Sequence, residues 1–329
     1  MKHSNLEKGK INMKAVYLES FGSNEVLKIG EIAKPVAAAN EVLIRLSHTS
    51  VNPVDYKIRD GHLQGLLPHK LPVVLGWDAA GVIEAVGPGV SSFKPGDRVF
   101  AYARKEVVQN GTYAEYITLP VTSVAIAPKS VDGAAAAAIP LVALTAWQSL
   151  FDFADLKAGE SVFIPGGSGG VGSFAIQLAK IKGARVITSA STRNKEYLKG
   201  LGADAVVDYT KDDVAAKVLE FAPNGVDVVF DCVGAETQTE AWRVVKKSGR
   251  FVSIVDSPDE TFAKTLNVKS GFWFVQPDAP RLALLSELVD SGKLKLPAIS
   301  VRSIKDAAKA LAEVETRRVQ GKIVLKIDF

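Results

Sequence analysis

The hydrophobic positions change rhythm near the middle of the chain. Up to about residue 128 they form short alternating runs, such as 42–50 (VLIRLSHTS), 81–86 (GVIEAV) and 97–101 (DRVFA). Turn clusters, Gly87-Pro88-Gly89 and Lys94-Pro95-Gly96-Asp97, separate them. Period-two alternation with glycine and proline punctuation predicts many short strands, hence a β-rich barrel or sandwich. From about residue 130 the pattern turns helical, in GAAAAAIPLVALTAWQSL, with Pro140 expected to break the run. From residue 161 strands and helices alternate. Strands are predicted at 161–164, 185–189, 205–208, 226–230 and 251–255, with helices at 171–182, 194–201, 212–220 and 236–246. Apolar β-branched strands alternating with helices mean a parallel sheet covered on both faces. One further amphipathic helix, 304–315, and a closing strand, 322–327, depart from this rhythm. The chain is therefore expected to return to its first domain. That reading divides it into a β-rich domain of residues 13–128 and 275–329 and a nucleotide-type domain of residues 129–274. Polar residues 1–12 (MKHSNLEKGKIN) are expected to be a flexible N-terminal extension.

Composition narrows the class. A chain of 329 residues, 47% hydrophobic and 23% charged, can bury two cores without disulfides. The single cysteine, Cys232, excludes an intrachain disulfide and a cysteine-rich zinc site, and is read as a small buried residue. Net charge is +4, dispersed along the chain, so no nucleic-acid groove is expected. No apolar run approaches the roughly 18 residues of a membrane span, and the polar start lacks a signal peptide's apolar stretch. A cytoplasmic location is the expectation. Arg104-Lys105-Glu106 reads as mobile charged surface.

One motif carries specific chemistry. A predicted strand runs into Gly166-Gly167-Ser168-Gly169-Gly170-Val171-Gly172, and a helix and second strand follow. Gly167, Gly169 and Gly172 satisfy G-x-G-x-x-G in the strand–turn–helix context that a dinucleotide site requires. Glycines allow the backbone to approach a pyrophosphate, and the helix N-terminus offers free N–H groups and partial positive charge. At the end of the second strand, an NAD site places an acidic residue against the ribose 2′-hydroxyl. Here the sequence reads Ser191-Thr192-Arg193-Asn194-Lys195, without an acid before Glu196. Hydroxyls and cations suit a 2′-phosphate, so NADPH is the expected cofactor.

With these residues in view, the chain from about residue 13 onward resembles the medium-chain dehydrogenase/reductase superfamily, in its zinc-independent quinone oxidoreductase and enone (alkenal) reductase branch. The resemblance is carried, in order, by VNPVDYKIRDG, LPVVLGWDAAGVIEAVGPGVSSFKPGDRV, GTYAEYITLP, AAIPLVALTAWQSL, the glycine loop, VDVVFDCVGAET and GKIVLKI. It implies an α/β fold: a GroES-like β-rich catalytic domain plus a Rossmann doubly wound parallel sheet, the active site between them, and a homodimer. Zinc members carry Cys-x-x-Asp and Gly-His-Glu segments; the matching positions here read Asn52-Pro53-Val54-Asp55 and Gly76-Trp77-Asp78. Neither Asn52 nor Trp77 is a good zinc ligand, so no metal is expected. By resemblance, Lys57, Gly169, Gly170, Ser191, Thr192, Arg193, Asn194, Tyr209, Ile254, Phe272, Trp273, Phe274, Gly321 and Lys322 are implied to contact or enclose NADPH. The aromatic trio and Tyr209 equally suit ordinary packing.

The expected reaction is hydride transfer to a quinone or to the β-carbon of an α,β-unsaturated carbonyl. The oxygen that gains charge needs hydrogen-bond donors. Asn52, Tyr56 and Lys57 are the candidates, and no residue stands out as the proton donor. Asn52 also suits a loop cap before Pro53, and Asp55 suits a brace paired with Arg59. Two other functions stay open: an enoyl-thioester reductase of the same superfamily, and an NADPH-binding protein without catalysis.

Overall fold

The computed structural model describes residues 11–329. The expected extension lies outside the described residues up to residue 10, and the first strand, Asn12–Leu18, already takes in Asn12.

Six parallel strands build the second half: Ser161–Pro165, Arg185–Ala190, Ala205–Asp208, Val226–Asp231, Val245–Ser253 and Lys269–Phe272. Taken in that order, they lie third, second, first, fourth, fifth, sixth across the sheet. This is the doubly wound order, whose connection reverses direction between the first and fourth strands. Alternation along each strand feeds two cores. Val162, Ile164, Val228 and Phe230 face one core, while Phe163, Val229 and Phe251 face the other. Helix Gly170–Ile181 covers the first face, with eight of its twelve residues buried. Helices Val214–Phe221 and Ala235–Trp242 cover the second.

Two elements differ from the sequence reading. The helix expected to reach residue 246 stops at Trp242, and the next strand starts at Val245. The Val226 N–H bonds the Val244 carbonyl, and the Trp242 ring stacks on Phe251 at 4.2 Å. Sheet pairing and a buried aromatic contact outweigh the helical pattern of the charged stretch that follows. The last strand of this sheet, Lys269–Phe272, was not foreseen; it is short and only partly buried. Pro140 divides the alanine-rich run as expected, standing in the first turn of helix Pro140–Trp147.

The first half forms two sheets. A seven-stranded sheet includes Glu41–Ser50, Asp78–Val86 and Arg98–Tyr102, and it is completed by Ile299–Ser303 and Lys322–Lys326. The last of these pairs antiparallel with Glu41–Ser50. The chain thus comes back to the sheet it left, and its C-terminal strand passes the glycine loop on the way.

Candidate active site

The glycine loop is shaped by close approaches. Gly166 turns the chain at φ +76°. A Cβ at Gly167 would stand 2.1 Å from Thr188 Oγ1, and one at Gly172 would stand 2.6 Å from Gly167 Cα. Gly169, by contrast, has nothing nearer than 3.6 Å above it. Two glycines therefore let strand, loop and helix pack, and the middle one leaves open space over the start of helix Gly170–Ile181. The first in-helix bond runs from the Ser173 N–H to the Gly169 carbonyl. The N–H groups of Gly170, Val171 and Gly172 are thus the unpaired donors of the first turn. This cradle fits a dinucleotide pyrophosphate.

The loop after the second strand is tied to this turn. Asn194 is buried, and its Nδ2 donates to Ser168 Oγ at 3.1 Å and Ser191 Oγ at 3.3 Å. Arg193 is exposed and donates through Nη2 to the Arg318 carbonyl at 2.9 Å. The Thr192 hydroxyl donates to Asp208, the end of the third strand. The sequence reading looked for an acid only after the second strand and missed Asp208. Its carboxylate also accepts from the Thr210 hydroxyl at 2.6 Å, and these hydroxyls hold its pKa below the ordinary value. Tyr209 beside it is 59% exposed.

After strand Val245–Ser253, Ile254 is half-buried and its N–H reaches the Asp231 carbonyl at 3.2 Å. Phe272 ends the edge strand and is exposed. Trp273 Nε1 donates to Gln148 Oε1 at 3.2 Å. Phe274 meets the Trp77 ring edge to face at 6.3 Å, with the Arg104 guanidinium 5.0 Å over its own ring. Arg104 also donates to Gln276, so it is half-buried in a defined packing site and is not mobile surface. Burial likewise lowers the pKa of Lys105.

The Asn52 segment is the chemical centre of the first domain. Asn52 is 1% exposed and precedes helix Pro53–Arg59. Its Nδ2 donates to Asp78 Oδ2 at 2.7 Å and to the Ser50 carbonyl at 3.4 Å. Its Oδ1 accepts from Lys322 Nζ at 2.5 Å. Both ends of the amide are thus engaged inside the protein. The ammonium of Lys322 is buried between Asn52, the Val51 carbonyl at 3.0 Å and Asp78 at 3.5 Å. Its aliphatic stem packs against the phosphate turn, since a Cβ at Gly170 would stand 2.8 Å from Lys322 Cδ. Gly321, at φ +69°, donates its N–H to the Ser168 carbonyl at 2.9 Å. The tie between loop and C-terminal strand is thus backbone to backbone.

Asp55 completes this centre. Its Oδ2 accepts from the Asn52 N–H at 2.8 Å and the Tyr113 hydroxyl at 3.2 Å. It does not pair with Arg59, which bonds Asp60 and Glu315. Burial pushes the Asp55 pKa up to about 7, against the lowering effects of the Asn52 N–H and Lys322. Burial also lowers the pKa of Lys322, opposed by Asp78 and Asp55. A proton on Asp55 leaves one Asp78–Lys322 pair and no surplus buried charge. Tyr56 is buried; Lys57 is half-buried, its pKa lowered by desolvation and raised by Asp256. Among the described residues no group of three or more His, Cys, Asp or Glu side chains stands ready to hold a metal.

Residues 38–129 match the alcohol dehydrogenase GroES-like domain, and residues 201–325 match the zinc-binding dehydrogenase domain. The chain is 37% identical to the 2-methylene-furan-3-one reductase of Solanum lycopersicum, over 95% of its own length and 79% of the relative's. It is 35% identical, with the same coverage, to the NADPH-dependent alkenal/one oxidoreductase (chloroplastic) of Arabidopsis thaliana. Among solved structures, the quinone oxidoreductase of Coxiella burnetii superposes with a TM-score of 0.86 at 32% identity, covering 97% of this chain and 100% of that one.

Proposed function

Because this chain belongs to the zinc-independent quinone oxidoreductase and enone reductase branch of the medium-chain dehydrogenase/reductase superfamily, we propose that it reduces the activated C=C bond of small α,β-unsaturated carbonyls with NADPH, and quinones more slowly. The observation that carries this reading is the pairing of an intact phosphate cradle with a cleft whose ligand positions are held by Asn52 and Trp77. The cradle calls for a dinucleotide. The Asn52–Asp78–Lys322 network puts a buried ammonium where zinc members carry their metal-ligand positions, so the oxygen of the substrate must be met by hydrogen-bond donors. The two relatives named above act, by name, on a conjugated furanone and on alkenals and alkenones.

In this reading the N–H groups of Gly170, Val171 and Gly172 hold the pyrophosphate, Ser191 and Arg193 hold the 2′-phosphate with Asn194 bracing their loop, and Tyr209 packs on the adenine side. Lys57, with Ile254, borders the nicotinamide ribose. Bound there, NADPH would supply the hydride for the β-carbon of the enone, with negative charge developing on the carbonyl oxygen and the proton for the α-carbon drawn from water. The protein orients the reactants and stabilises the developing charge. The reading includes the division into residues 13–128 with 275–329 and residues 129–274, a homodimer, and a cytoplasmic location. No helix among the described residues is long and apolar enough to cross a membrane.

The test is loss of NADPH absorbance with 1-octen-3-one, acrolein, 9,10-phenanthrenequinone and crotonyl-coenzyme A, with NADH as control. Faster turnover of the enone and alkenal is expected. Turnover of the thioester alone, or of none despite NADPH binding, overturns the proposal.

A further inference from the structure

Three buried polar atoms without a hydrogen-bond partner among the described residues belong to one region of the first domain: Tyr102 Oη, Arg104 Nε and Asp55 Oδ1. Buried polar groups are nearly always paired, because leaving one unpaired costs about 1–3 kcal/mol. Several orphans bearing on one another call for a function rather than a packing accident.

Register places Tyr102 on the site's side of the sheet. It is the direct antiparallel partner of Asp78, and directly opposed residues project from the same face. Asp78 uses that face to bond Ser50, Asn52 and the Leu141 N–H. Tyr102 is fully buried, its ring 6.1 Å from that of Trp77 in an edge-to-face contact. Trp77 in turn meets Phe274, which carries Arg104 over its ring. Trp77, Tyr102 and Arg104 come from the first half of the chain, and Phe274 follows the nucleotide-binding sheet. The orphaned donors therefore stand behind an aromatic wall shared by the two halves. The charges that bear on the Tyr102 hydroxyl are Arg104, Asp78 and Asp55, and burial raises its pKa, so it stays a donor at neutral pH.

We propose that the Tyr102 hydroxyl and the Arg104 Nε–H are the donors that hold the carbonyl oxygen of the substrate as it gains negative charge, with the Phe274 ring swinging aside to admit it. This assignment rests on the enone-reductase reading above and supplies the donors that reading requires. The apolar body of the enone would then pack on Trp77 and Phe274 while its oxygen reaches the buried pair. Neither residue is among the donors suggested by the sequence, since Asn52 spends its amide elsewhere.

The decisive variant is Tyr102→Phe, which keeps the ring and removes only the hydroxyl. Its kcat with 1-octen-3-one is expected to fall by roughly 100-fold, the scale seen when one oxyanion donor is removed. Two further readouts separate this from a structural role. The variant should melt no lower than the wild type, because an unpaired buried hydroxyl is lost. Its affinity for the saturated ketone octan-3-one, titrated calorimetrically into the NADP+-loaded enzyme, should drop by about tenfold or more, with the NADPH Kd unchanged. Arg104→Met should weaken octan-3-one in the same way; should it not fold, Tyr102→Phe decides alone. Wild-type kcat and wild-type octan-3-one affinity in Tyr102→Phe overturn the assignment. A wild type that reduces no enone or quinone overturns the parent reading instead, and the ketone titration still judges Tyr102.

Discussion

At the scale of single residues, the buried cluster of Asp55, Asp78 and Lys322 sets how the protein responds to pH and to mutation. Asp55 has a folded pKa raised to about 7, above the ordinary carboxylate value, with Lys322, Asp78 and Tyr113 as the groups that face it. A raised folded pKa means the folded state binds the extra proton. Its contribution is therefore fully present below about pH 4 and is lost as pH rises through 7. Asp55→Asn should flatten the fall in melting temperature between pH 5 and 8, read by thermal unfolding across that range; an unchanged slope refutes the assignment. Lys322→Met makes the opposite point. It leaves the Asp78 carboxylate buried without its cation, a loss worth about 3–5 kcal/mol. The single variant should melt well below the wild type, and Lys322→Met with Asp78→Asn should recover much of the difference, whereas additive effects would mean the two side chains are not coupled.

At the scale of elements, the strand–turn–helix of the cofactor site was legible because its requirements are local. Gly167, Gly169 and Gly172 fall within six positions, and each does a separate geometric job there. The alternation of strands and helices was legible for the same reason. Contacts between distant segments were not. Lys322 reaches Asn52 across 270 positions, and the Thr192–Asp208 bond joins two strand ends that only the sheet brings together. Nothing in the spacing of those residues announces a partner. Tyr102 was hidden differently: in FAYARK it reads as an ordinary strand residue, and only its register opposite Asp78 shows which face it takes. The cofactor end yields its own prediction. Arg193 is exposed beside the loop that would receive the 2′-phosphate, while its backbone tie to Arg318 leaves other guanidinium hydrogens free. A charge-assisted bond to phosphate is worth about 1.5–3 kcal/mol. Arg193→Ala should therefore weaken NADPH by roughly 10- to 100-fold in equilibrium titration and leave NADH unchanged; equal losses for both would mean Arg193 acts only on the fold of the loop.

At the scale of the whole molecule, the six-stranded sheet ends in a short strand that is open on one side. Among the described residues, Lys269–Phe272 pairs only with Val245–Ser253, and Phe272 at its end is 37% exposed. An unpaired edge with an exposed aromatic ring invites a second strand, and closed twofold pairing of two copies satisfies both edges at once. The neighbouring rings continue the apolar surface: Phe272 stacks with Phe274 at 6.3 Å, and Phe153 meets Trp273 at 5.9 Å. If two copies join here, Phe274 lies close both to the aromatic wall over Tyr102 and to the partner, so assembly would limit how far that ring can swing. Phe272→Asp places a charge on the edge without touching the glycine loop or the Asn52 network. The wild type is expected to sediment as a dimer and the variant as a monomer with an altered KM for 1-octen-3-one. A dimer that survives the substitution would move the interface away from this edge. A monomer with an unaltered KM would separate assembly from the movement of Phe274.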